Sequence, residues 1–335
     1  MNFDFTDDQQ EIKRTARDLL TQRSTWEKVR GHAEASTQDD ALTKELADLG
    51  WPGIAVSEEN GGQGLGMVEL VILLEELGYA CAATPFLGTA LAALMIEHAG
   101  SDAHKAEWLP KLASGEARGA FGEAGQLVPD AVGADVVLTL DPDTGNVHFG
   151  DGVHGRVPAI DPTRAYANLE VDGAAGDVLP GDVEAALRRC ELAVAAGLVG
   201  VSQRAMDMTL EYIKDRKQFG VPIGSFQAVS HKATQMLFDT EGARSATLFG
   251  AWAADADESQ LALGAAMAKA SASAGARATT QAAIQLHGGI GFTWEADVHW
   301  LYKRAQMDAV FLGGAGTHRA RVAELSAQRV SAKTA

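Results

Sequence analysis

Apolar residues return at helical spacing along most of this chain and lose that spacing in one middle stretch. Thr6-Asp7-Asp8-Gln9 has the form of a capping box, with acidic residues suited to the positive end of a helix. Ile12, Ala16, Leu19 and Leu20 follow as one apolar stripe, which predicts a helix from about 7 to 22. Further helices are expected at about 38–49, closed by Gly50, and at about 67–80, 85–99 and 102–112. The breaker-rich run 51–66 is a loop between them. From Val183 onward the helical pattern resumes in long Ala-rich segments, 184–216, 226–255 and 260–287, with a last helix from about 294. Four long helices with short connections make a bundle, and small side chains let them approach closely. The polar Ala/Ser tail after Leu325 is expected to fray.

From Glu116 to about Asp182 the texture changes to Gly, Pro and Asp, with short apolar runs at 135–140 and 166–171 around the turn signal at 141–146. Such runs read as short strands of a small β-domain. Three units are expected: a helical one over 1–115, a β-rich one over 116–182 and a helical bundle over 183–335. That makes a mostly α fold with a small middle β-domain.

Composition narrows the class. The 335 residues suffice for two or three packed units; 46% are apolar and 22% charged, and no apolar run reaches the ~20 residues of a membrane span. No basic-then-apolar leader stands at Met1-Asn2-Phe3-Asp4, and Cys81 and Cys190 are too few for a disulfide framework, which fits a reducing cytoplasm. A net charge of −17 argues against nucleic acid or an anionic membrane as a general partner. An anionic ligand would need a local offset to that field.

Two punctuated stretches carry the candidate chemistry. Arg216-Lys217-Gln218-Phe219-Gly220 lies between two helical segments, and Gln285-Leu286-His287-Gly288-Gly289-Ile290-Gly291-Phe292 ends another. Alone, Arg216 is a cation suited to a helix C-terminus, Gly220-Val221-Pro222 a turn, and Phe219 a core residue beneath it. Together, in this order and about 65 residues apart, the two stretches resemble the C-terminal domain of the acyl-CoA dehydrogenase family of flavoproteins. Its R-K-x-F-G and Q-x-x-G-G-x-G-F patterns are matched throughout. The resemblance extends loosely from Phe3 through Leu112 and weakens in the middle. It implies an N-terminal helical domain, a β-barrel-like middle domain, here reduced, and a C-terminal four-helix bundle. The family's T-E-x-x-x-G-S-D segment is not recognisable, with Phe121-Gly122-Glu123-Ala124-Gly125 near its place, and no Trp stands between Trp108 and Trp252 to lie against a flavin.

By that resemblance, Arg216, Phe219, Gln285, Gly288 and Gly289 would contact FAD, and in this family they reach the FAD of a neighbouring subunit. Arg216 would meet phosphate, since guanidinium gives charge-assisted and often bidentate bonds to it. Gln227 is a weaker candidate that would cap or bridge a helix start. No G-x-G-x-x-G supports a Rossmann-type site. The family's base is a Glu in an E-G-T segment; depending on alignment, Leu312, Gly313 or Ala315 takes that slot, and none can accept a proton. Some members carry the carboxylate on the first bundle helix, where Glu191 lies one residue from the expected register, a turn of about 100° around the helix. Glu191 is therefore either the base or a carboxylate beside Arg188. His287 is expected as a helix C-terminal cap, Glu75-Glu76 as a solvated face, and Asp308 opposite an interface arginine such as Arg304. His299 and His318 lack metal-ligand spacing.

These features imply one subunit of a hetero-oligomeric acyl-CoA dehydrogenase, α2β2, in which a homologous partner supplies the base. They resemble the actinobacterial type acting on steroid-derived or other bulky CoA thioesters, with electron-transfer flavoprotein or a similar acceptor. Two alternatives stand beside it: a self-sufficient homotetramer using Glu191, and a non-catalytic scaffold subunit without flavin.

Overall fold

The structure, a computed structural model, describes residues 4–151, 155–171 and 177–334. Most of the leader position at 1–4 and parts of the expected β-domain lie outside the described residues. Helix α1 (Asp7–Arg23) begins at the capping box: the Gln9 amide donates to Thr6 Oγ1 at 3.2 Å, and Thr6 N donates to Gln9 Oε1 at 3.0 Å. The helix expected at 38–49 is α3 (Asp40–Asp48), capped by Asp39, and an unexpected one, α2 (Trp26–Ala35), capped by Thr25, precedes it. Helix α2 buries only Val29 and Ala33, too short a stripe to stand out as a period. Helices α4 (Met67–Tyr79), α5 (Phe86–Ala99) and α6 (Asp102–Ser114) complete the first unit, and 51–66 folds into two short turns. Helix α4 has only half a capping box: Gly66, at its N-cap, has no side chain, and its amide donates to Glu69 Oε2 at 3.0 Å. Its free amides at Met67 and Val68 donate to the Asp255 carboxylate at 2.8 and 3.1 Å, across the molecule.

The middle stretch holds a three-stranded sheet, β1 (Gly119–Glu123), β3 (Val136–Leu140) and β4 (Val147–Asp151), with β1 and β3 parallel and β3 and β4 antiparallel. A separate ribbon pairs β2 (Leu127–Pro129) with β5 (Tyr166–Asn168). Phe121-Gly122-Glu123 belongs to β1, where Phe121 is fully buried.

Helix α7 (Val183–Asp215) is the central rod, wedged between α4 and α5 on one side and α8 (Gln227–Ala256) and α9 (Leu261–His287) on the other. Glycine permits that wedge: a Cβ on Gly200 would lie 1.9 Å from the Glu75 carbonyl oxygen. Helices α10 (Val298–Asp308) and α11 (Ala315–Thr334) follow. Helix α11 runs through the tail expected to fray. Its alanines favour helix, Arg321 donates to Glu191 at 2.9 Å, and Arg329 donates to the Ser259 carbonyl at 3.0 Å.

Glu75 and Glu76 do not form the solvated face expected of them. They are 4% and 1% exposed, because α4 faces α1 and α8, and both supply cations. Lys13 lies 2.9 Å and Arg244 3.2 Å from Glu75, while Arg17 grips Glu76 through both carboxylate oxygens. Among the described residues no helix is long and apolar enough to cross a membrane, and both cysteines are free and buried.

Candidate functional site

Helix α7 stops at Arg216 because the chain turns back at once in a two-residue hairpin, β6 (Lys217–Gln218) paired with β7 (Val221–Pro222). Phe219 and Gly220 form its turn with φ of 53° and 83°, the paired left-handed geometry a tight hairpin needs. Glycine accepts that conformation readily, whereas phenylalanine does so at a cost of about 1 kcal/mol. The cost brings no burial, for Phe219 is 94% exposed rather than the core residue its apolar character suggests. The guanidinium of Arg216 is exposed and makes no hydrogen bond or ion pair among the described residues. Gln227, the first residue of α8, is exposed too, and its side chain caps nothing; the N-cap position is Phe226.

The second stretch arrives at the same end of the bundle. Tyr212, one turn before Arg216, stacks on His287 with ring centroids 4.5 Å apart. His287 Nδ1 lies 2.8 Å from the Ala283 carbonyl, so that nitrogen carries the proton, and burial lowers the ring's pKa. His287 thus ends the helix as expected, and it also joins the two stretches. Gly288 follows with φ 66° and ψ −142°, open only to glycine, and nothing lies within 4 Å of where a Cβ on Gly288 or Gly289 would stand.

Gln285 lines a cavity of about 410 Å³ with Phe292, Trp294, His299, Tyr302 and Lys303. Lys303 stands over the Trp294 and Trp300 rings at 4.1 and 4.5 Å, and burial lowers its pKa. His299 is buried without a partner for either ring nitrogen, and burial together with Lys303 lowers its pKa to about 4. Sequence reasoning missed these aromatic walls, although the density of aromatics at 292–302 was visible. An unpaired guanidinium, an exposed ring face and glycines that leave the backbone open fit the phosphate-bearing half of a dinucleotide approaching from outside.

The slot for a base has a different character. Leu312 and Gly313 take φ of 54° and 94°. Their carbonyls are pinned, that of Leu312 by His318 Nε2 at 3.0 Å and that of Gly313 by Lys269 Nζ at 2.9 Å. Glu191, 1% exposed, sits between Arg188 at 2.5 Å and Arg321 at 2.9 Å, with its other oxygen unpartnered. Asp308 pairs with Arg164 at 3.3 Å, not with Arg304; burial raises its pKa while Arg164 and Arg304 oppose the rise. Arg304 is internal rather than at an interface, 1% exposed and bonded to Asp161 at 2.7 Å. These four charges clamp the segment at 161–164 onto α10. Among the described residues no group of His, Cys, Asp and Glu is placed to hold a metal, at His299 and His318 or elsewhere.

Comparison with known proteins follows these contours. A family model described as Acyl-CoA dehydrogenase, C-terminal domain, matches residues 183–326, and one described as Acyl-CoA dehydrogenase, N-terminal domain, matches 6–116. The acyl-CoA dehydrogenase IpdE2 of Mycolicibacterium smegmatis is 31% identical over 304 residues, covering 90% of this chain and 93% of the relative. Among solved structures, a variant of the Tcur3481-Tcur3483 steroid ACAD superposes with a TM-score of 0.89 at 27% identity, covering 97% of this chain and 99% of the other. The ChsE4-ChsE5 complex from Mycobacterium tuberculosis gives 0.86 at 25% identity, covering 98% and 99%.

Proposed function

Because this chain belongs to the acyl-CoA dehydrogenase family, we propose that it is one subunit of a hetero-oligomeric, FAD-dependent enzyme. The enzyme dehydrogenates the α,β-bond of an acyl-CoA thioester. FAD, when bound, supplies the hydride acceptor. This chain's residues hold the nucleotide end: Arg216 pairs with phosphate, Phe219 offers an apolar face, and Gln285 and the Gly288-Gly289 backbone line the approach. Gln227 is a further, outer contact. A homologous partner supplies the carboxylate that removes the α-proton, in an α2β2 assembly.

The single observation carrying this reading is Phe219, a bulky side chain held left-handed and 94% exposed, next to a guanidinium without a partner. Within the chain Phe219 makes one edge-on ring contact, with Phe226 at 6.2 Å, and both residues would gain by covering a ligand on a neighbour. The base side agrees: Glu191 and Asp308 are each committed to arginines. The segment Phe311-Leu312-Gly313-Gly314-Ala315 contains no carboxylate at all. A steroid-derived or other bulky thioester is the proposed substrate class, supported by the likeness to the steroid ACAD above. Electron-transfer flavoprotein or a similar acceptor and a cytoplasmic setting complete the proposal, as does the three-unit division at 115 and 182.

The test is to purify the chain alone and co-expressed with a homologous subunit, then measure flavin absorbance and acyl-CoA-dependent dye reduction. The lone chain is expected to be inactive and the complex yellow and active, with less flavin after Arg216→Ala. A lone chain that turns over and is silenced by Glu191→Gln would establish the homotetramer instead. A colourless complex, or full flavin content after Arg216→Ala, would establish the scaffold.

A further inference from the structure

Away from the dinucleotide end, α1, α2, the end of α4 and α7 enclose a cleft of about 230 Å³. Arg17, Thr21, Trp26, Glu76, Tyr79 and Arg204 line it. Glu75 and Glu76 are served by Lys13, Arg17 and Arg244, the last shared with Glu241, without help from Arg204. Arg204 makes no ion pair within 4 Å among the described residues, and its one hydrogen bond runs from Nη1 to Tyr79 Oη at 3.2 Å. The nearby acid is already used: Asp207 accepts the Tyr79 hydroxyl at 3.0 Å and the Gln203 amide at 2.8 Å. The Arg204 guanidinium lies 5.0 Å from the Tyr79 ring centroid and 5.6 Å from that of Trp26, and Arg17 stacks on the other side of the lining at 3.5 Å from Tyr79. These aromatic contacts use no N–H group, so most of the guanidinium's donors are left without an acceptor among the described residues. Thr25 and Trp26, where α2 begins, also line the cleft.

A partly buried guanidinium without an ion pair, in a chain of net charge −17, is a local exception to the surrounding field. We propose that this cleft binds a small oxyanion, a carboxylate or phosphate carrying at most a few carbon atoms, with Arg204 as its principal ligand. Size sets the upper limit, since sites for drug-sized molecules and cofactors run from about 300 Å³ upward. Coenzyme A and FAD are therefore excluded from it. Recognition is by one charge-assisted and planar donor pair, the geometry guanidinium supplies to either anion. The site is independent of the dinucleotide contacts proposed above.

Isothermal titration of the full chain with sodium phosphate and, separately, with sodium acetate, at ionic strength fixed with chloride, tests it. One saturable site is expected for at least one anion, and the tighter of the two assigns the chemistry. Arg204→Gln should weaken that binding at least tenfold, the equivalent of losing one charge-assisted bond. Arg216→Ala should leave it unchanged. Thr21→Glu, on the exposed rim, should abolish it by bringing an opposing charge without touching the packed interior. Absence of saturable binding by either anion, or equal affinity in Arg204→Gln or Thr21→Glu, would overturn the assignment.

Discussion

Arg304→Met removes one half of the buried clamp between the middle unit and α10. Arg304 is 1% exposed and Asp161 fully buried. Burial alone would lower the guanidinium's pKa, but Asp161, with Cys81 and Asp308 beyond it, outweighs burial and leaves it raised. Besides Asp161, the guanidinium reaches the Ala82 carbonyl at 3.3 Å and Thr163 Oγ1. After the substitution Asp161 keeps only the Thr163 amide at 3.0 Å, its hydroxyl, and Tyr166 Oη at 3.5 Å. A carboxylate left uncompensated in such a place costs about 3–5 kcal/mol, and the thermal midpoint should fall by on the order of 10 °C. Asp161→Asn in the same chain removes the stranded charge and should restore most of the loss, because a neutral isostere needs no counter-ion. Urea titration followed by circular dichroism measures all three proteins. A single variant within about 1 kcal/mol of the parent, or a double variant no better than the single, would refute the account.

Arg216→Ala should weaken flavin binding by the complex ten- to a hundredfold, since bonds to charged groups are worth about 1.5–3 kcal/mol, while the exposed position leaves the fold unchanged; flavin dissociation titration reads it. Lys269, whose Nζ is enclosed by Ser273 Oγ and the Asp308, Ala309 and Gly313 carbonyls, has a pKa lowered to about 8 by burial, with Asp308 and Glu191 opposing. Its unfolded form therefore binds more protons between about pH 8 and 10.5, so this lysine's contribution to stability should rise with pH across that window, as the difference between wild type and Lys269→Met. Gly200→Ala, with a Cβ 1.9 Å from a backbone oxygen of α4, should cost 1–3 kcal/mol or more or prevent soluble expression, as melting curves would register.

The helices were legible because their signals are local. The Thr6 capping box, the Ala-rich periods and the breakers at 51–66 each act over a few residues, and the corresponding elements appear within one or two positions of expectation. Helix α2 was missed because its buried stripe is only Val29 and Ala33, and strands β1 and β2 because each pairs with a strand distant in sequence; β4 is the far arm of a hairpin whose turn signal at 141–146 was legible. The fate of charges was least legible. Glu75-Glu76 carries the pattern of a wet helix face, and nothing within α4 announces Lys13, Arg17 and Arg244 arriving from two other helices. Asp308 and Arg304, one turn apart, suggested each other, yet each found its partner in the segment at 161–164. Burial and pairing are properties of the packed chain, and only the packed chain discloses them.

That segment also bears on the division of labour. The middle unit is bolted to α10 through Asp161-Arg304 and Arg164-Asp308. Breaking both pairs while they stay buried would leave four charges uncompensated, at several kcal/mol for each ion. The same chain leaves Arg216 and Phe219 uncovered, where a second surface would bury the ring and pair the guanidinium. In the proposed division of labour the clamp keeps the chain folded while the uncovered pair meets the ligand, and the Arg304 and Arg216 variants separate the two halves. The first should change stability and leave flavin affinity intact in whatever protein still folds, and the second should do the reverse.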